Sequence, residues 1–450
     1  MQIALLGGHY LKKLCHNDTV WTYDLPLTIH PQADNSIQRL LADHCPFDPD
    51  VLLFGDQGCM PMLTGIEELS VPTAAYLIDT HLSYAWHRYF AGMFDLVFVA
   101  QQDAAKSLQR LYHQCRWLPL FSRHGDLRQD CPKSMDVVFV GTVDEKRNPD
   151  RVRFLKAFAE QAPLEILSGE YQAPFNRARI VLNQSVRSDI NFRVFEAMAT
   201  GSMLLTDDVG NGLHELFEDG RQLVTYQKGD VRDAVAKARY FLEHPWEREQ
   251  IAAAGRALVL ERHTLEVRCT QLLSQLRQLQ QQSGGMSKSE MQQRNYRKKR
   301  AAGQAYLSIA LLMDDLLLLK GVGDYRTLSD WYLNLADQQF RQLLAMEAAD
   351  KALIGELALL SFLKGDLQKA ANYNRIVLID EPEDCEQLLL GCRIACRRGD
   401  TAGLQNLYGR AEYRIQQELL QSDDRLWCEH LAVNASMVKK IIATRCAGVL

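Results

Sequence analysis

Of the 450 residues eleven are cysteines, and none of them forms a C-x-x-C pair or a Cys/His spacing suited to zinc. That absence excludes a zinc-ribbon type of framework, and scattered thiols in a chain this long read as reduced cysteines of a cytoplasmic protein. Cys392 and Cys396, one helical turn apart, read as packing rather than as ligands. No apolar run approaches the roughly 20 residues that cross a bilayer, so no membrane span is expected. An excess of one charge is also missing: 51 Lys and Arg against 56 Asp and Glu leave a net charge of −5, which argues against a general nucleic-acid binder. The opening MQIALLGG lacks the basic and apolar regions of a leader and reads as a strand with a glycine turn. Hydrophobic residues at 47% and charged residues at 24% are ordinary for globular protein, with room for about three domains of ~150 residues.

Strand and helix alternate from residue 1 to about 125. Buried strands are expected at Gln2–Leu6, Val51–Phe54, Thr73–Ile78 and Leu96–Val99, with helices such as Ser36–His44 and Asp103–His113 between them. Apolar strands separated by helices imply a parallel, doubly wound sheet. A polar or glycine turn follows each strand: Gly7-Gly8-His9, Gly55-Asp56-Gln57-Gly58, Asp79-Thr80-His81 and Gln101-Gln102-Asp103. That is the edge at which such sheets bind ligands. Arg116–Asp136 reads as a connector. A second series then starts with Met135–Val140, the loop Thr142–Asn148 and a helix Asp150–Gln161 opened by Pro149. The strand Leu164–Leu167 follows, and helices Asp230–Glu243, Trp246–Arg262 and Thr264 to about Gln280 close the series. Asp48-Pro49-Asp50 precedes a strand and reads as a turn.

The stretch Asn183–Glu215 carries the densest signal. An apolar strand, Ala178 to Leu182, enters the polar loop Gln184–Ser188; a helix follows, stopped by Gly201 before a second buried strand, Met203–Thr206. Asp189, Arg193, Glu196 and Thr200 recur at i, i+4, i+7 and i+11, which places them on one helix face opposite Val194, Phe195 and Met198. A helix N-terminus beside Arg187 is suited to an anion, because free N–H groups and the helix dipole face it. A phosphate-bearing ligand is expected there.

FEAMATG, the following LLTDD, the GNGLHELFEDG turn and QLVTY together resemble the donor half of GT-B glycosyltransferases of the CgeB-like and group 1 kind. The resemblance implies an α/β fold of two Rossmann-like domains, residues 1–125 on the acceptor side and 126–280 on the nucleotide-sugar side. It implies that Glu196 holds the ribose hydroxyls of a UDP- or GDP-sugar. The group 1 pattern places an acid eight positions before that glutamate. Here position 188 is serine and Asp189 stands one step on, which leaves retention or inversion open. Positive side chains and helix N-termini can meet leaving-group charge without metal. Arg187 and Arg193 are the first candidates for that task, with Lys146 and Arg147 on a second loop beside Gly141, and Asn191 at the helix start. No metal or other cofactor is expected. Asp79 and His81 are candidate catalytic groups with Asp189; His9 and Asp56 compete with them as a general base.

Gln281-Gln282-Ser283-Gly284-Gly285 is a linker by composition. Beyond it, residues 286–450 read as all helix. The basic run Arg297-Lys298-Lys299-Arg300 reads as a solvated helix face. Lys-Gly-Asp at 364–366 recurs as Arg-Gly-Asp at 398–400, a period of 34, and Gly323-Asp324 suggests an earlier, irregular unit. Lys351–Asp384 resembles a tetratricopeptide repeat. The expectation is a short superhelix, able to hold a protein segment or to mediate oligomers. The function expected is a nucleotide-sugar-dependent glycosyltransferase acting on a protein such as a flagellin-like exported subunit. A surface-polysaccharide precursor as acceptor, or a donor-binding scaffold without turnover, are the alternatives.

Overall fold

The computed structural model describes residues 1–11, 18–25, 36–58, 60, 63–123, 125, 128–320, 324–346 and 353–446. The first sheet is built from β1 (Gln2–Gly7), β2 (Thr19–Tyr23), β3 (Val51–Gly55), β4 (Thr73–Leu77), β5 (Leu96–Val99) and β6 (Cys115–Trp117). Its order is β2-β1-β3-β4-β5-β6, and the paired strands are parallel throughout. Helices α1 (Ile37–His44), α2 (Thr80–Phe90) and α3 (Gln102–Leu111) connect these strands. β3 and β4 are buried at every position, as strands covered on both faces must be. Asp50 lies at the opposite edge from the ligand turns, where its carboxylate accepts the Gln2 amide N–H at 2.7 Å, in keeping with a turn.

The second sheet holds β7 (Met135–Val140), β8 (Glu165–Leu167), β9 (Ala178–Asn183), β10 (Met203–Asp207) and β11 (Val224–Tyr226), in the order β11-β10-β9-β7-β8 and again parallel. Helices α4 (Pro149–Ala159), α5 (Gln172–Arg177), α6 (Phe192–Ala199) and α7 (Leu213–Leu216) join its strands. Two more, α8 (Val231–Glu243) and α9 (Pro245–Arg262), follow the last strand, and α10 (Leu265–Ser283) closes the series. Two parallel Rossmann-type sheets agree with the GT-B expectation. α10 crosses back to the first sheet: Leu272, Leu276 and Leu279 share a core with Ile3 and Leu5. Gln281–Ser283 complete α10, so the compositional linker reduces to the residues from Gly284 up to the next helix.

That next helix, α11 (Lys288–Lys320), is followed by α12 (Asp324–Ala345), α13 (Leu353–Leu363), α14 (Leu367–Asp380), α15 (Cys385–Arg398), α16 (Thr401–Gln421) and α17 (Arg425–Arg445). α11 is long and apolar enough to cross a membrane by length and composition. Here it is a central packing helix, because Ala301, Ala305, Ile309 and Ala310 are buried in one core with Phe90 and Phe94 of the first domain and Tyr332 of α12. The repeated Gly-Asp pair has a local cause. Gly365 and Gly399 take φ of 84° and 71°, which ends α13 and α15. Asp366 and Asp400 then cap α14 and α16 through the Lys369 and Gly403 amides. Gly323 lies outside the described residues.

The basic run is not a solvated face. Lys298 is completely buried, and Arg294, Arg297 and Lys298 all reach Asp95 at the foot of β5. Arg294 grips both carboxylate oxygens at 2.7 Å. Burial alone would raise the Asp95 carboxyl, but Arg294 and Lys298 overcome it and hold the group at about 2. Lys299 and Arg300 pair with Glu68 and Glu356. Sequence periodicity showed a charged stripe; it could not show a counter-charge some 200 positions earlier. Cys392 and Cys396 are buried packing residues, and Cys396 also meets Cys446 at 3.0 Å.

Candidate active site

The loop between β9 and α6 is where the sequence reading needs most revision. α6 begins at Phe192, so Asp189 lies before the helix and not on its face. Its carboxylate accepts the Val186 amide N–H at 2.7 Å and closes the loop on itself. Arg187 and Ser188 both adopt left-handed φ, 50° and 63°, a strained arrangement for two consecutive residues with side chains. The turn is held from several sides. Asn211 Nδ2 donates to the Ser188 carbonyl at 3.0 Å, Lys228 to the Ser188 hydroxyl, and Arg425 to the Arg187 carbonyl at 3.1 Å. Thr200 caps the far end of α6, its hydroxyl on the Ala197 carbonyl at 2.8 Å.

Across the cleft stands the carboxyl edge of the first sheet. Asp56 is buried after β3 and accepts the Ile78 and Asp79 amides at 3.1 and 3.0 Å, fixing the turn that presents Asp79 and His81. Burial, then the nearby Asp56 and Asp189, push the Asp79 carboxyl up to about 7. Burial also lowers the His81 imidazole, against the pull of Asp189. Arg187 donates to the His81 carbonyl at 3.4 Å. The fold therefore gathers Asp79, His81, Arg187 and Asp189 from two domains. Asp56 sits beneath that group as a backbone anchor; the side chain of His9 lies outside the described residues.

The two sheets are also stapled directly. Gln101 accepts the Ile190 amide at 2.9 Å and the Asn211 side-chain N–H at 2.7 Å, while Asn211 Oδ1 accepts the Asp103 amide at 2.9 Å. Neither residue was singled out from sequence, although Gln101 opens a polar triplet after β5 and so carried a signal.

Arg193 packs over the Phe139 ring at 4.6 Å and donates to the Val140 carbonyl at 2.8 Å and to the Asn183 side chain. Gly141 makes room for it: a Cβ there would fall 2.3 Å from the guanidinium. Arg151, not foreseen, lies over the same ring at 5.5 Å and donates to Gln184 and Thr142. Burial, then the neighbouring Arg151, lowers Arg193 to about 10. Among the described residues neither arginine forms an ion pair, and the buried Asp207 carboxylate accepts from the Ser185 amide and hydroxyl. Asn191 donates to Asn183 at 3.2 Å. The Nδ1 of His81 and the Oδ1 of Asn191 are buried with no hydrogen-bond partner in the protein. Glu196 is buried but covered by Arg123 at 3.1 Å, whose guanidinium stacks over Phe192 at 4.8 Å. Lys146 and Arg147 are exposed on the loop after β7, their amides on Asp144, and do not converge with the other arginines.

Residues 143–274, from the loop after β7 into α10, match the family described as glycosyl transferase-like. By the domain it carries, the chain is a glycosyltransferase. Among solved structures it is similar to sucrose-phosphate synthase from Thermosynechococcus elongatus, with 12% identity, 62% of this chain and 99% of that one covered, and a TM-score of 0.47. It is also similar to Anabaena HepE in complex with UDP and glucose, with 13% identity, coverage of 62% and 100%, and a TM-score of 0.47. A third is the pneumococcal O-GlcNAc transferase GtfA in complex with UDP and GlcNAc, with 12% identity, coverage of 51% and 56%, and a TM-score of 0.37. No curated protein matches the chain.

Proposed function

We propose that the chain transfers a sugar from a UDP- or GDP-sugar to a hydroxyl of an acceptor protein, in the cytoplasm and without a metal ion. The observation that carries this reading is the cleft itself: Asp79 and His81 from one sheet meet Arg187 and Asp189 from the other, in front of two arginines that lack carboxylate partners. In the transfer the bond from C1 to the diphosphate oxygen breaks and its electron pair leaves with the diphosphate. Arg187, Arg193 and Arg151 meet that charge, and preorganised cations in a water-poor site stabilise it strongly. The acceptor oxygen bonds to C1 and its proton passes to the Asp79 carboxylate, a base whose titration near 7 suits the task. A base on the acceptor side goes with inversion at C1. The unpartnered atoms of His81 and Asn191 suit the sugar's hydroxyls. Glu196 takes the ribose once Arg123, half-exposed, swings away. Lys146 and Arg147 stay apart from this group of cations on their exposed loop.

The tetratricopeptide-like pattern of Lys351–Asp384 supports a protein acceptor, by analogy one of the flagellin kind, engaged by the helical region. The test is release of free nucleoside diphosphate from a panel of UDP- and GDP-sugars. One donor should be hydrolysed slowly, and Glu196→Ala and Arg193→Ala should each slow it by about 100-fold or more. Binding of a donor with no turnover under any acceptor condition would mark a scaffold instead.

A further inference from the structure

A cavity of about 810 Å³ lies between α2 and α11 on one side and α13, α14, α15 and α17 on the other. Its size is that of a ligand site, and it is separate from the donor arginines. Two features of its wall point to an occupant. Arg88 is 8% exposed and tied to Glu386 through Nη1 at 3.0 Å, yet its Nε is buried without a partner. The Nε of Arg297, also in the wall, is likewise buried without a partner. Buried donors left unpaired are costly, and carbonyl oxygens of a bound chain would satisfy them. Aliphatic side chains, including Leu307, Leu311, Leu359 and Met437, share the rest of the lining with three tyrosines and with polar and charged groups. At the rim Ile376 and Val433 are 42% and 57% exposed, beside the acids Asp380, Glu381 and Asp384.

We infer that this cavity binds an extended polypeptide segment carrying aliphatic and basic side chains, its carbonyls on Arg88 and Arg297 and its cations on the acidic turn between α14 and α15. The acids of the rim distinguish this from a neutral glycan site, since such a glycan brings no cations to them. The position gives the segment a purpose, in a step that rests on the transferase reading. α2 carries His81 in its first turn and Arg88 and Tyr89 near its end. α17 touches the Arg187 carbonyl with Arg425 and lines the cavity with His430, Val433 and Met437. At 1.5 Å per residue both helices lead from cleft to cavity in ~10 Å, a span of about three extended residues. The modified hydroxyl should therefore lie within about ten residues of the docked segment.

Fluorescence anisotropy on the full chain, with labelled twelve-residue peptides and no donor, tests the site. A peptide alternating leucine with lysine should bind, and its glutamate counterpart should bind at least tenfold more weakly. Glu381→Lys and Val433→Arg, both at exposed rim positions, should each weaken the lysine peptide at least threefold, and together about tenfold. Photo-crosslinking of the bound peptide should label α14 or α17. Equal binding of both peptides, indifference to the substitutions, crosslinks elsewhere, or displacement by an uncharged oligosaccharide would overturn the inference. Nucleotide release without peptide reports on the transferase reading alone, so the two can fail separately.

Discussion

Two clusters of buried positive charge organise this molecule, and they are finished differently. Where α11 meets the first sheet, Arg294, Arg297 and Lys298 close on one carboxylate, and Thr73 adds its amide and hydroxyl to the same group at 2.9 and 3.1 Å. At the end of the second sheet, Arg151 and Arg193 share one aromatic ring and donate only to neutral oxygens. Charge taken out of water and paired makes a clamp, whereas charge held without its counter-ion awaits an anion. The proposed function accordingly gives the first cluster structural work and the second chemical work.

The comparison can be broken by removing one member of each cluster. Asp95→Ala leaves three cations without their carboxylate and should cost about 3–5 kcal/mol of stability in chemical denaturation. Because the Asp95 carboxyl is held at about 2 when folded, its contribution is complete above the unfolded carboxyl's ordinary value near 3.9 and is lost as pH falls toward 2. Arg193→Ala should do the opposite: donor turnover falls by about 100-fold or more while the unfolding midpoint moves less than in Asp95→Ala. If Arg193→Ala proved the more destabilising of the two, the division of labour would be wrong. Asp79→Asn should remove a rise in kcat/KM with pH through about 7, since the carboxylate fraction grows tenfold per unit below that value. Gln101→Ala removes the contacts to Ile190 and Asn211 and should raise KM for the donor a few-fold, at about 1 kcal/mol for each net hydrogen bond. Smallest is Arg425→Ala, whose half-exposed pairings should be worth less than about 1 kcal/mol, read as a slight rise in the same KM.

The central strands β1, β3, β4, β5, β7, β9 and β10 were legible because each is a short apolar run followed by a turn. β2 and β6 were not: they are edge strands, Thr19–Tyr23 only half-buried at the sheet margin and Cys115–Trp117 three residues long. At the site, Asp79, His81 and Arg187 could be read from their place after strands. Arg151 could not, since a helix-borne arginine looks solvated until Gln184 and Phe139 fold over it. Gln101 and Asn211 became visible only as a pair, 110 positions apart. Patterns in sequence report local period; they are silent on distant partners.

The return of α10 and α11 to the first sheet has a consequence for how the chain is made. β6 ends at Trp117, but the helices that complete the first domain's two cores end only at Ser283 and Lys320. At a ribosomal pace of about 5–20 residues per second, the nascent first domain waits on the order of 10–40 s with apolar faces uncovered. Residues 1–125 produced alone should therefore aggregate. The first domain's apolar faces are thus covered only by segments made long after it.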